Sequence, residues 1–370
     1  MFRQTPEHVL SNAGINGLYD TEDWSFFSGA AIRATPLAAG ECIFFGNADG
    51  RFFCINAKTH TKKWVIETGS PIHSSAAINK GLVFFADNRS MLYAVNASTG
   101  KMAWQHDLGK MVRHEWQYDF LMSSPCIYHD KIFIGTGEGN ICAIDCRQGK
   151  ELWKYNAGAV IRSTPAVTKN GIYFGDMKGR FYCIDTTGKL QWKFSTNGDT
   201  LNSADYGFDR NAIISSPAVY DGKVFFGSRD GNMYCLDAIT GEKKWIFSYG
   251  TSWIIASPCI YGSMVIQGTS DGRFINAIDI NSGKELWRCK TNEPLFSSPV
   301  IVGNIVYEAG YDGVLYCVDA KSGKRIAPGF MMQALSNSSP VFDGANIYIV
   351  SDDGYLHALK KREIPLHPMN

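Results

Sequence analysis

Ser215-Ser216-Pro217-Ala218-Val219-Tyr220-Asp221-Gly222-Lys223-Val224-Phe225-Phe226-Gly227-Ser228-Arg229-Asp230-Gly231-Asn232-Met233-Tyr234-Cys235-Leu236-Asp237-Ala238-Ile239-Thr240-Gly241-Glu242-Lys243-Lys244-Trp245 is the stretch whose reading decides the fold. Short runs of apolar and aromatic residues alternate with Asp-Gly and Thr-Gly pairs, the pattern of brief strands joined by tight turns. The same unit recurs along the chain. Its Pro falls at Pro36, Pro125, Pro165, Pro217, Pro258, Pro299 and Pro340, with Ala76 in one copy, and its Trp at Trp64, Trp104, Trp153, Trp192, Trp245 and Trp287. In the seventh copy the Trp is missing, because Lys324-Arg325 runs on into Ile326.

A repeat of about 40 residues holding four strands reads as a propeller blade, whereas helical repeats show a 3.6-residue period and β-helix coils are far shorter. Eight copies predict an all-β, eight-bladed β-propeller of four-stranded antiparallel blades. The pairs Asp49-Gly50, Asp230-Gly231, Asp271-Gly272, Asp312-Gly313 and Asp353-Gly354 suggest two-residue hairpins with positive φ. The eighth copy stops at Leu356-His357-Ala358-Leu359, before a Trp, while Asp23-Trp24-Ser25-Phe26-Phe27 near the start resembles the missing strand. We therefore expect the N-terminal strand to complete the last blade and close the ring. This divides the chain into an N-terminal extension (1–20), a single propeller (21–361) and a C-terminal tail (362–370).

Composition narrows the function. The chain has 370 residues, 36 Lys+Arg against 35 Asp+Glu, and 45% hydrophobic residues. So balanced a charge argues against a nucleic-acid or anionic-membrane binder held by bulk electrostatics. No apolar run approaches the roughly 18 residues of a membrane span, and Met1 to Leu18 shows no secretory pattern. Of ten cysteines, Cys54, Cys183, Cys235 and Cys317 take a slot filled by Ala94, Ala143, Ala277 and Ala358 in other copies, so they read as small core residues. Cys126 and Cys259 follow the Pro where other copies have Ala or Val. Cys42, Cys142, Cys146 and Cys289 remain, without a zinc-type spacing. So many thiols suit a reducing compartment, and the expected location is the cytoplasm.

Ala94-Val-Asn-Ala-Ser-Thr-Gly-Lys-Met-Ala-Trp104 and Ala277-Ile-Asp-Ile-Asn-Ser-Gly-Lys-Glu-Leu-Trp287 resemble the tryptophan-docking motif of quinoprotein dehydrogenases and the wider PQQ-repeat superfamily, which includes BamB-like proteins. The resemblance implies the propeller, with each Trp packed on the neighbouring blade. It would also imply PQQ and a metal held by Glu, Asn and Asp, often beneath a vicinal Cys-Cys. The chain has no Cys-Cys, and no acidic residue stands at the funnel end of an innermost strand. The expectation is therefore no PQQ and no metal.

The residue three places before each Pro looks into the channel mouth by period-two alternation. Around the ring it is Arg33, His73, Met122, Arg162, Ile214, Ile255, Phe296 and Asn337. The funnel should thus be cationic and polar on one arc and apolar on the other. Two long loops reach the same mouth, one with Trp116, Tyr118 and Asp119, the other with Asp205 and Tyr206; a shorter loop adds Trp253. Two readings follow for the arginines: Arg33 and Arg162 pair with Asp119 or Asp205, or they hold a ligand with an anionic group and an apolar body. Two follow for the protein. The favoured one is a non-catalytic scaffold binding such a small molecule, or a protein or peptide partner, through Arg33, Arg162, Asn337, Trp116, Tyr206, Trp253 and Phe296. The other is an isomerase, lyase or hydrolase with His73 as acid–base group, Arg33 and Arg162 as anion holders and Tyr118, Asp119 or Tyr206 completing the set.

Overall fold

A computed structural model describes residues 5, 8, 17–110, 122–206 and 209–362. The described strands form eight separate four-stranded antiparallel sheets, one per repeat copy. In the blade quoted above the strands are Ala218–Tyr220, Lys223–Gly227, Asn232–Asp237 and Lys243–Ser248, paired in chain order from the axis outwards. The second and third strands are buried on both faces, since each blade is sandwiched between two others, and the fourth alternates because one side meets solvent.

Two recurring residues explain how the blades fit. The Gly that ends the second strand leaves room for an Ile of the next blade. A Cβ on Gly46, Gly135, Gly175 or Gly227 would stand 2.2–2.5 Å from Ile72, Ile161, Ile213 or Ile254. The Trp of the fourth strand docks on the turn of the following blade that ends in Gly, preceded by Thr, Ser or, at Gly149, Gln. Trp64, Trp104, Trp153, Trp192, Trp245 and Trp287 each donate their indole N–H to a carbonyl there, that of Ala97, Cys146, Thr186, Ala238, Ile280 or Ala320, at 3.0–3.3 Å. The ring lies flat on the turn glycine. A Cβ on Gly241, itself at φ +75°, would meet Trp192 Cδ2 at 2.6 Å.

The last blade is built from both chain ends. Its three inner strands are Val341–Phe342, Ile347–Val350 and Tyr355–Lys361, and Tyr19–Phe27 is the outermost, with Trp24 opposite Ala358. Three acid–base pairs tie the strand in place: Glu22–His357 at 2.7 Å, Asp23–Lys360 at 3.3 Å, and Asp20–Arg362. This arrangement also accounts for the Trp absent from blade seven. A blade whose third and fourth strands come from opposite chain ends has no Thr-Gly turn, so a Trp on blade seven would have nothing to dock on. Tyr19 packs there instead, edge-on to Phe342 with ring centres 5.2 Å apart, while its N–H donates to the Tyr307 hydroxyl at 2.9 Å.

The turns between second and third strands differ from expectation. In blade one Asn47 N–H donates to Arg51 O and Gly50 N–H to Asn47 O, which leaves a three-residue loop, not two. A type I turn followed by a left-handed residue needs that extra position. Gly50, Gly231, Gly313 and Gly354 supply it at φ +76 to +86°, whereas in blade six Arg273 (φ +54°), and not Gly272, is the left-handed residue. All ten cysteines are buried. Among the described residues no helix is long and apolar enough to cross a membrane.

Candidate functional site

Each innermost strand begins with a recurring pattern of wall and lumen positions. The wall residues Ile32, Ile72, Ile161, Ile213, Ile254 and Leu295 are at most 1% exposed. The lumen residues form two tiers around the mouth. The upper tier is Arg33, His73, Met122, Arg162, Ile214, Ile255, Phe296 and Asn337, all eight positions that alternation selected. The lower tier is Thr35, Ser75, Ser124, Thr164, Ser216, Ser257, Ser298 and Ser339.

The lower tier is a belt. At seven seams its backbone N–H donates to the hydroxyl of the next blade. Ser75 donates to Ser124, Ser124 to Thr164 and Thr164 to Ser216, each at 2.9 Å. Ser216 to Ser257, Ser257 to Ser298, Ser298 to Ser339 and Ser339 to Thr35 continue it at 3.0, 2.8, 2.9 and 3.3 Å. The Ser-Ser-Pro motif is thus explained by structure. Its hydroxyl bridges blades, and the following Pro carries no N–H to satisfy where the strands converge.

Above the upper tier stands a third set of side chains, which sequence reasoning missed. They come from the second residue after each second strand, including Asn88, Arg229, Tyr311 and Asp352. Asp352 accepts from Arg33 Nη2 at 2.9 Å and Nε at 3.1 Å, so the carboxylate beside Arg33 comes from the neighbouring blade's turn and not from Asp205. Asn88 Nδ2 donates to His73 Nδ1 at 3.1 Å, which leaves the ring proton on Nε2. Tyr311 meets Phe296 edge-on at 5.4 Å. Arg229 pairs with Asp209 at 3.0 Å and lies over the Trp253 ring at 4.5 Å. The signal was available: this position precedes the Asp-Gly pair and varies as freely as the one three before the Pro.

Burial first, and then the like charge of Arg33, push the His73 pKa down to about 4. Arg162 is 4% exposed; burial and then Arg229 push it down to about 10, which leaves it charged at pH 7. Ile214, Ile255, Met177, Ala212 and Trp253 form one apolar cluster with Phe296 packed against it. Arg33, His73, Arg162, Phe296 and Asn337 thus meet in one cavity. Trp253 backs its apolar wall. Tyr206, 43% exposed, stands outside the lining with Arg210 over its ring at 5.0 Å. Trp116, Tyr118 and Asp119 lie outside the described residues. Among the described residues no group of three or more His, Cys, Asp or Glu could hold a metal ion.

A closed ring of eight blades, six of them docked on the next through a Trp, around a two-faced mouth defines a PQQ-repeat propeller. The family model for outer membrane protein assembly factor BamB matches residues 20–186 and 137–363, and the chain belongs to this family. BamB of Burkholderia pseudomallei is 26% identical over 124 residues, which are 34% of this chain and 29% of that protein. Matches to the curated relatives thus span less than a third of their length. BamB of Moraxella catarrhalis superposes with a TM-score of 0.77 at 19% identity, over 92% of this chain and 99% of that one. The quinohemoprotein alcohol dehydrogenase of Comamonas testosteroni also gives 0.77, at 14% identity, over 100% of this chain and 81% of that one. At such identities the superpositions speak for fold alone.

Proposed function

We propose that this protein is a non-catalytic binding propeller whose mouth receives an acidic group carried beside an apolar one, on a small molecule or on a segment of a partner protein. The observation that carries this is the fixed state of the upper tier. His73, among the described residues the one in the lining suited to proton transfer, is tied to Asn88, neutral, and beside a like charge. With a pKa of about 4 it is a weak base at pH 7 and holds no acidic proton there. The described upper tier instead sets the guanidinia of Arg33 and Arg162 beside Ile214, Ile255 and Phe296 in one cavity. Such a surface favours an anion with a hydrophobic body. The family model, described as an outer membrane protein assembly factor, supports a partner-binding role, while the curated relatives include both BamB and quinohemoprotein alcohol dehydrogenases.

The mouth is further proposed to work without PQQ. A quinone held through a hard divalent cation needs several oxygen ligands, carboxylates among them. The lining offers cations, one carboxamide and hydroxyls, and its nearest carboxylate is engaged by Arg33. The ten buried cysteines support a reducing compartment as the working location.

Titration calorimetry with phenylbutyrate, its amide, and a peptide ending in an aromatic residue and a free carboxylate tests the reading. The acids should bind at least about tenfold more tightly than the amide, equivalent to about 1.4 kcal/mol. Arg162→Gln should remove that preference, and Phe296→Ala should weaken acid and amide alike. Equal binding of acid and amide would refute the anionic half of the proposal.

A further inference from the structure

One pair of cysteines is arranged for chemistry beyond packing. Cys42 opens the strand Cys42–Gly46 and Cys54 lies in the adjoining strand Arg51–Asn56. Phe44 stands opposite Cys54, and Cys42 opposite Asn56, so the two thiols share one face of the sheet as diagonal neighbours. Lys63, on the next strand out, directs Nζ to Cys42 Sγ at 3.5 Å. Cys42 keeps 9% of its surface open, while Cys54 behind it is fully covered.

We propose that Cys42 and Cys54 are a peroxide-responsive dithiol that closes to a reversible disulfide. The Cys42 thiolate, with the Lys63 ammonium as counter-charge, attacks one oxygen of a hydroperoxide. An S–O bond forms and the O–O bond breaks. The leaving oxygen takes a proton and departs as water or alcohol, and the sulfur, oxidised by two electrons, becomes a sulfenic acid. Cys54 then attacks that sulfur. The S–S bond forms, the S–O bond breaks, and the hydroxide leaves as water with the proton of Cys54. A cellular thiol of the glutathione class returns the pair to dithiol by exchange and is itself oxidised.

Selectivity follows from surroundings. Burial pushes the thiols of Cys142, Cys146, Cys183, Cys235 and Cys317 up to about 12, which keeps them protonated and inert. Burial first, and then the adjacent Cys42 thiol, also push Cys54 up, so it serves as the resolving group and not the attacking one. Closure must draw two diagonal positions closer than the pleat holds them, and a strained disulfide is the reducible kind. Cys54 faces Trp64 across the next strand pair, where the register slips by one residue. Oxidation is therefore read out at the docking contact between blades one and two.

The test uses the full chain and hydrogen peroxide, independently of any ligand at the mouth. Stoichiometric peroxide should remove two thiols, give a Cys42–Cys54 linked peptide, and shift tryptophan emission, all reversed by dithiothreitol. Cys54→Ala, a residue four other blades use at that slot, should halt the reaction at a sulfenic acid on Cys42 that dimedone traps. Lys63→Met should slow disulfide formation by about tenfold, with Lys62→Met near wild type. Peroxide attacking another cysteine first, a linked peptide lacking either residue, or an unchanged rate in Lys63→Met would overturn the proposal.

Discussion

His73 offers a quantitative test of how the mouth treats charge. Its pKa is held at about 4 by burial and by Arg33, against 6.5 for a free imidazole. Between those values the unfolded chain binds a proton that the folded one does not. Stability tied to this residue is therefore complete above pH 6.5 and is lost as the pH falls toward 4. At pH 4.5 the free imidazole is almost wholly protonated and the folded one mostly not, a difference of roughly 2–3 kcal/mol against folding. His73→Gln keeps a partner for Asn88 and removes the titration. Urea unfolding of both proteins at about pH 7.5 and about pH 4.5 should show the wild type losing roughly 2–3 kcal/mol more than the variant across that interval. Parallel losses, or an imidazole resonance titrating near the free value, would refute the argument and restore His73 as a candidate acid–base group.

Other contacts give sharper local tests. Gly241→Ala sets a Cβ against Trp192 and forces an L residue to φ +75°, whereas Gly222→Ala has φ +69° with nothing within 4 Å; calorimetry should find the second costing about 1 kcal/mol and the first clearly more. Tyr19→Ala should destabilise by about 3 kcal/mol and raise amide exchange in 355–361, because it empties the seam that carries no Trp. Asp352→Asn should cost at most about 1 kcal/mol at this partly exposed pair. The same change should tighten phenylbutyrate several-fold, since it removes the carboxylate bonded to Arg33.

The blade count, the Trp docking and the eight upper-tier residues were legible in the sequence because each rests on a strict period. A period of two leaves only one residue between Ile32 and Ala34 that can face the lumen, and the structure puts Arg33 there. What the sequence hid depends on contacts between copies. Nothing local tells that the Ser216 hydroxyl accepts from Thr164 of the preceding blade, 52 residues away. Nor does spacing reveal that Arg33 meets Asp352, 319 residues on, since that contact exists only once the ring has closed. Turn length was misread for a simpler reason. Asp-Gly is compatible with both two- and three-residue loops, and only the backbone bonds of Asn47 distinguish them.

The two lumen tiers divide the work in a way that constrains how specificity at the mouth can change. Backbone and hydroxyl bonds of the Ser/Thr belt hold the strands, so the residue two places above can vary without loosening the ring. Yet it does not vary alone. Arg33 is matched by Asp352, His73 by Asn88 and Phe296 by Tyr311, each contributed by a turn that overhangs it. A lone change at the upper tier removes the partner of a half-buried side chain on the overhanging turn, which costs stability in itself. Phe296→Arg alone should therefore destabilise the fold, whereas Phe296→Arg with Tyr311→Asp sets a carboxylate opposite the new guanidinium within blade seven. Recovery of stability in the double variant, measured by a thermodynamic cycle, would show that the functional unit is the pair; an additive loss would show that the two sets of side chains act separately.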